Sequence, residues 1–324
     1  MMLLHERWFL DESKFPVQFD TWNSANSLVP IAVAVGVTAI ATIIYRARGR
    51  RNVVPGPVQL GMPWENYVRL LTWVPLVIGV HMGVTLLVSG VSRELFIPNL
   101  VLPVNLLGGV LGMIEIAIAL SFIYGALARP AAAMLAAIWL IGVLMFGPLR
   151  LIEHTEILGI AFFVFATGRG PLAFDQALDR LNKPVAPLIP YAVPVLRVAL
   201  GIGITVVAFT EKIWNVPMAL AFLQDHHFNF FPYIGMTSID DVKFTLIAGT
   251  IELIVGLMII SGAYVRLVIV ITLIPFNLTL PFMGWRELVG HLPTYGILAL
   301  LLLWGDERPG ERGALVRALL GARV

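Results

Sequence analysis

Nine apolar stretches, each long enough as a helix to cross a hydrocarbon layer of about 30 Å, constrain this chain more than any other feature. They fall near residues 28 to 45, 67 to 90, 103 to 127, 131 to 147, 151 to 167, 191 to 213, 243 to 262, 264 to 283 and 288 to 304. Of the 324 residues, 58% are hydrophobic and 13% are charged, against about a quarter charged in soluble domains. The expected fold is all-α: a polytopic membrane protein of about nine transmembrane helices, because only a helix satisfies its own backbone polar groups in lipid without closing a barrel. A net charge of +2 leaves no basic excess for nucleic acid. The lack of cysteine excludes a thiolate nucleophile, a disulfide relay, a Cys-ligated iron–sulfur cluster and a Cys zinc site within this chain.

Charge placement then orients the spans. Met1 to Asn26 carries acidic and aromatic residues rather than a basic start and an apolar run, so the first span reads as retained rather than cleaved. Arg46, Arg48, Arg50 and Arg51 follow it at once, and cytoplasmic loops accumulate Lys and Arg. The expectation is a cytoplasmic (inner) membrane protein with its N-terminus outside and its C-terminus cytoplasmic. Threading nine spans puts 15 of the 22 basic residues inside, whereas an even number would place the tail from Arg308 to Arg323 opposite the Arg46 cluster.

Sliding the chain against itself at an offset of 137 aligns 112–168 with 249–305 without a gap, with 14 of 57 positions identical. The rare residue types carry the weight: Glu115 falls on Glu252, Arg129 on Arg266 and His154 on His291, with five glycines also matched. Upstream the register breaks, but Arg93-Glu94 and Glu211-Lys212 close equivalent spans, and the second copy has the longer loop. The chain therefore divides into an N-terminal segment (1–27), an extra helix with a basic loop (28–66), a four-helix unit (67–170), a linker (171–190), a second four-helix unit (191–305) and a basic tail (306–324). An even number of spans per unit makes the two copies parallel across the bilayer.

Glu115 stands as far before Arg129 as Glu252 does before Arg266, and the same spacing separates His154 from Gly168 and His291 from Gly305. Since every helical residue adds the same rise, Glu and His of each unit are expected at one depth, buried in the outer half of the membrane. Charge in hydrocarbon is costly and usually functional, so Glu252 with His291, and Glu115 with His154, are candidate catalytic pairs. One reading makes them the proton-handling wall of a quinone or similar small-molecule pocket. Another makes them structural hydrogen bonds between packed helices. A third has the two histidines clamp a haem iron, or join Glu115 and Glu252 around a metal, although the Glu-x-x-His spacing of di-iron bundles is absent. A transporter is also compatible with the parallel repeat, Pro275 to Asn277 being the main candidate for an interrupted helix.

The loop from Trp214 to Asp241 holds Asp225, His226 and His227 followed by Phe228, Phe230, Phe231 and Tyr233, as an interfacial lid or an ordinary aromatic belt would. Lys212, Arg286 and Trp214 are the candidate cofactor-binding residues at this level. The two cations either attract an anion to the outer face or pair with neighbouring acids.

The second unit, with Ala-Phe-Thr-Glu-Lys-Ile-Trp at a span end and Gly249-Thr-Ile-Glu252 followed by Gly262 and Arg266, resembles the DoxX family of four-helix membrane proteins. The likeness covers the second unit, and both units if the first is counted as a diverged copy. It implies a bundle that meets quinone or docks a redox partner protein, as a subunit of a quinone-dependent enzyme such as thiosulfate:quinone oxidoreductase. Glu211, Lys212, Gly249, Glu252, Gly262 and Arg266 match the family pattern. In the first unit Gly112, Glu115, Gly125 and Arg129 match, while His81 and Gly83 stand in the span that lacks a Glu-Lys end.

Overall fold

A computed structural model describes residues 5–177 and 183–304. Arg180, one of the 15 basic residues counted inside, Gly305 of the repeat and the basic tail from Arg308 to Arg323 lie outside the described residues. Those residues form helices α1 (Ala25–Ala47), α2 (Trp64–Leu71), α3 (Val74–Ser92), α4 (Leu106–Tyr124), α5 (Ala128–Phe146), α6 (Pro148–Ile152), α7 (Thr155–Thr167), α8 (Ile189–Val207), α9 (Val216–His226), α10 (Asp241–Ser261), α11 (Val265–Met283) and α12 (Trp285–Trp304). Eight are long and apolar enough to span a membrane, counting α2–α3 as one and α8 with its extension as another. The expected span at 151–167 is the exception, since α6 and the shorter α7 divide it. The chain is an all-α polytopic membrane protein.

The offset of 137 is kept in three dimensions. α5 and α11 begin and end at matched residues, and each follows a left-handed residue, Leu127 (φ 57°) and Tyr264 (φ 50°). The helices before them stop on Gly125 (φ 68°) and Gly262 (φ 75°), the left-handed cap that a residue without Cβ adopts freely. Arg129 Nε donates to the Phe165 carbonyl at 3.1 Å, and Arg266 Nε to that of Leu302, its repeat mate, at 2.9 Å. α6–α7 and α12 are the same element, broken at Glu153–His154 in one copy and continuous in the other.

Packing interlocks the copies. α3 lies on α4 and α8 on α10, as expected within a unit, but α3 also packs on α12 and α7 on α8. The first helix of each unit thus rests against the last helix of the other, and α3, α7, α8 and α12 make a central bundle flanked by α4–α5 and α10–α11. α1 packs on α10 and leaves most of its length to lipid. Close seams form where glycine removes the side chain. A Cβ on Gly83 would lie 3.0 Å from the Ala119 carbonyl, and one on Gly201 would lie 2.8 Å from the carbonyl of Gly256, the repeat mate of Ala119. This second correspondence sets α3 against α8 at an offset of 118 (201 − 83), which places Arg93-Glu94 opposite Glu211-Lys212 and leaves α9 and its loop as the second copy's insertion.

One end of the bundle, the arginine end, is tied by guanidinium groups on the last carbonyls of helices. Arg169 Nε caps Phe122 at 3.0 Å and Arg197 Nη1 caps Ile260 at 2.7 Å, satisfying acceptors that a helix terminus otherwise leaves open. The other end starts α4 and α10 on the capping side chains Asn105 and Asp240. Replacing Gly201 by Val is expected to force α8 off α10 and cost about 1–3 kcal/mol. Gly36→Ala in α1, where no atom lies within 4 Å of the added Cβ, is expected to leave the melting temperature in detergent unchanged or slightly raised.

Candidate functional site

Residues 5–24 form a strap of three short 3-10 turns, Glu6–Trp8, Glu12–Lys14 and Phe19–Asn23, across the end of the bundle away from the arginines. Its start is buried although it carries two charged residues: Glu6 is 1% and Arg7 6% exposed, beside Trp8 at 4%. Shape and backbone bonds seat it. The Trp8 indole fills a notch where a Cβ on Gly290 would lie 2.4 Å from the ring. Gln18 N–H donates to the Trp214 carbonyl (2.8 Å), Asn215 Nδ2 donates to the Phe15 carbonyl (3.0 Å), and Glu12 pairs with Arg150 (2.9 Å).

Under the strap α8 continues as a π-helical turn, Ala208–Ile213. Widening the helix by one residue turns three consecutive polar side chains inward, a distortion that recurs at functional sites. Thr210, Glu211 and Lys212 are all 1% exposed or less. Lys212 Nζ lies 3.1 Å from Glu252 Oε2 and 3.6 Å from Glu6 Oε1, joining α8, α10 and the strap. Glu211 accepts the Glu6 backbone N–H at 2.7 Å, and its other oxygen lies 3.3 Å from His5 Nδ1. Arg7 donates to the Thr210 carbonyl at 3.2 Å, with Glu153 Oε1 3.3 Å and Glu211 Oε1 3.8 Å away.

Three imidazoles converge here. The His5 ring is 5.2 Å from that of His154 and 5.3 Å from that of His291, centroid to centroid. Each holds its Nδ1 toward a carboxyl: His5 to Glu211, His154 to Glu156 at 3.4 Å and His291 to Glu287 at 3.2 Å. Trp8 stacks on His5 at 4.4 Å, and Phe276 meets His291 edge-on at 4.8 Å. Trp139, the repeat mate of Phe276, donates from its indole to the His154 carbonyl that the break between α6 and α7 exposes.

The charge count sets the chemistry. Six carboxyls, on Glu6, Glu153, Glu156, Glu211, Glu252 and Glu287, share the cluster with two permanent cations, Arg7 and Lys212. Full ionisation would leave an excess of four negative charges (6 − 2) in a poorly hydrated site, so protons on carboxyls or imidazoles must offset much of it. In the strap itself, burial pushes the Glu6 carboxyl up to about 8 against the pull of Lys212. Burial likewise lowers the His5 pKa, with Glu211 opposing. A cavity of about 30 Å³, room for a water or two, is walled by His5, Glu153, Glu156, Glu252, Phe276 and His291.

Of the residues singled out by sequence, Glu252 and His291 share this cavity wall, Lys212 binds Glu252, and His154 lies beside them. Glu115 does not meet His154. Its Oε1 accepts the Phe96 N–H at 2.8 Å, because α3 ends at Ser92 with Arg93 left-handed and the following loop folds over α4. Arg286 pairs with Glu94 and caps the Pro98 carbonyl, half-exposed and apart from the cavity. Trp214 packs on Phe209 and Phe19 and anchors the strap by its carbonyl. Among the described residues no group of three or more His, Asp or Glu could hold a metal ion. Sequence reasoning missed His5, Glu6 and Arg7; the signal was the string His-Glu-Arg-Trp itself, three polar groups against an indole with no apolar period to explain them. No family model, curated protein or solved structure matches this chain.

Two outcomes follow from these contacts. Lys212→Met leaves the Glu6 and Glu252 carboxyls buried without their cation and is expected to cost about 3–5 kcal/mol, part of which Glu252→Gln restores in the double variant; unfolding in mild detergent measures the cycle. Glu6 binds its proton more tightly docked than free, so its contribution to docking is complete below about 4.5 and lost as pH rises through about 8. His5, whose pKa is lowered, acts in the opposite direction below 6.5, so the Glu6 contribution is read between 6.5 and 8, as the difference between the wild type and Glu6→Gln. Proteolysis of the strap should rise across that window and flatten in Glu6→Gln.

Proposed function

We propose that the cluster under the strap is an acid–base centre that stores and passes protons for a membrane redox reaction, with quinone as the carrier. The observation that carries this reading is a water-sized cavity walled by three carboxyls, on Glu153, Glu156 and Glu252, and two imidazoles, on His5 and His291, with Glu6, Glu211, Glu287, His154, Arg7 and Lys212 in contact with the same cluster. Structural ion pairing does not call for such an excess: buried pairs add little stability, and an uncompensated acid subtracts from it. Intramembrane carboxyls with imidazole partners are the groups from which proton relays are built.

The cavity is too small for a quinone ring, so the carrier would stand beside it. A groove of about 540 Å³ runs along the seam of α7 and α8, lined by Thr155, Leu158, Phe162, Pro194, Val198 and Ile202. Thr155 and Ile202 of the groove adjoin in sequence Glu156 and Gly203 of the cavity wall, so groove and cavity share the α7–α8 seam. In this reading the units are DoxX-like, the strap end faces outward, and Glu252 is the carboxyl that trades its proton with cavity water. A second reading, a structural or docking subunit of a redox complex, is favoured by Glu115, whose carboxyl holds the loop after α3 through the Phe96 N–H.

Infrared difference spectra across a pH step test the proposal directly. A protonated-carboxyl band that titrates in the wild type and disappears in Glu252→Gln is expected. Its absence from the wild type would leave only static ion pairs and remove the relay. A quinone analogue should raise the melting temperature, by about 2.7 kcal/mol of added stability at one hundred times its Kd. Thr155→Trp, which fills the groove, should abolish that rise.

A further inference from the structure

The arginine end of the bundle holds more cations than its own contacts use. Arg129, Arg169, Arg197 and Arg266 spend their guanidinium N–H groups on helix carbonyls. Arg46, Arg48, Arg50 and Arg51 stand in the last turn of α1 and just beyond it, all exposed, and none forms an ion pair or side-chain hydrogen bond among the described residues. With Arg69 and Lys183 they make ten cations at this end against Glu65 and Asp175 as the described acids, an excess of eight (10 − 2). Asp175 is already occupied by the Leu127 and Ala128 N–H groups that open α5. Residues 21–64 contain no acid at all. Four guanidiniums within six residues repel one another unless an anionic surface lies over them.

The same segment shows apolar side chains outside the spans. Val53 is 58%, Val58 40%, Leu60 73% and Trp64 39% exposed. The loop that carries them is built rather than loose. Gly56 lies against the Arg266 guanidinium, Arg266 donates to Gln59 Oε1 at 3.4 Å, and the Leu60 N–H closes a turn on the Gly56 carbonyl at 3.0 Å. Tyr67 of α2 donates to the Leu303 carbonyl at 3.1 Å, and Tyr45 meets Tyr264 edge-on at 5.0 Å, which fixes the end of α1 to the start of α11. Open guanidiniums and open apolar side chains are thus presented together, directly beyond a helix that faces lipid along most of its length. A polyanion in water would use the charges and leave Leu60 wet, whereas a bilayer surface uses both.

We propose that residues 46–64 are a binding surface for anionic phospholipid in the leaflet at the arginine end. The four guanidiniums meet headgroup phosphates, to which their forked donors are matched, and Val53, Val58 and Leu60 enter the upper acyl region. Trp64 stands at the headgroup level that suits an indole. Attraction of a basic segment to an anionic leaflet reaches about one Debye length, so the preference weakens as salt rises.

Phosphatidylglycerol is the probe and phosphatidylcholine the neutral reference, each added to the full chain in mild detergent while melting is followed. The wild type should bind phosphatidylglycerol at least about tenfold more tightly. The combined variant Arg46→Gln, Arg48→Gln, Arg50→Gln and Arg51→Gln should lose that preference and melt like the wild type in phosphatidylcholine. Because the chain has no cysteine, Leu60→Cys accepts a single fluorophore. In nanodiscs containing phosphatidylglycerol, brominated acyl chains should quench it and aqueous acrylamide should not. Equal affinity of the wild type for the two lipids overturns the proposal, as does a preference that survives in the combined variant. Stabilisation by glycerol phosphate or heparin equal to that by phosphatidylglycerol would assign the arginines to a soluble anion instead. A label reached by acrylamide but not by brominated chains overturns it too, and decides the matter if the combined variant does not fold.

Discussion

The Lys212 ammonium is the contact on which the strap end of this molecule depends. It is 1% exposed, and a bare ammonium at that depth would be prohibitively costly, so the fold around it is a solution to one problem of charge. Glu252 answers from α10 and Glu6 from the strap. The π turn after α8 carries both contacts, with Thr210, Glu211 and Lys212 all buried beneath the strap. A Cβ on Gly249 of α10 would lie 3.0 Å from that of Lys212, so the π turn, the strap and the seam of α8 with α10 meet at this one side chain.

The duplicated carboxyl shows how the same residue takes two roles. Glu115 and Glu252 occupy matched positions, yet Glu115 receives a loop N–H and Glu252 an ammonium. The difference lies one helix upstream. α3 stops at Ser92 and turns its Arg93-Glu94 pair toward the surface, where Glu94 meets Arg286, while α8 carries Glu211-Lys212 inward. Charge order is reversed between the pairs, so the two ends of the duplication were free to become a closed loop and a polar crater on one framework.

Much of the framework was legible beforehand. Apolar runs separated by Gly and Pro locate the long helices within a few residues, and the repeat register matches the helix pairs because Gly, Arg, Glu and His are rare enough in such a chain to carry it. Depth matching of Glu252 and His291 was legible too. The cluster was not. His5 to Trp8 has no periodicity, and its burial follows from a crater that exists only once α7, α8, α10 and α12 are assembled. Nor does any pattern announce a π turn, whose signature in sequence is that of an ordinary helix end. The Glu115–His154 pairing failed because level alone does not bring two side chains together: azimuth around the helix decides, and the loop after α3 claimed the carboxyl first.

The crossing of the two units bears on how the molecule comes to exist. A chain inserted from its N-terminus makes α3 long before α12, the helix α3 packs against, so the first four-helix unit must wait in the bilayer with one seam open until α12 has been made. The strap waits longest. It is synthesised before the bundle, yet the acids that Arg7 meets arrive at the α6–α7 break and on the turn after α8, and the notch for Trp8 lies on α12, so it has no docking place until all are present. Its capture is therefore the closing event of biogenesis, and a strap still open to a protease would identify a molecule whose halves have not yet joined.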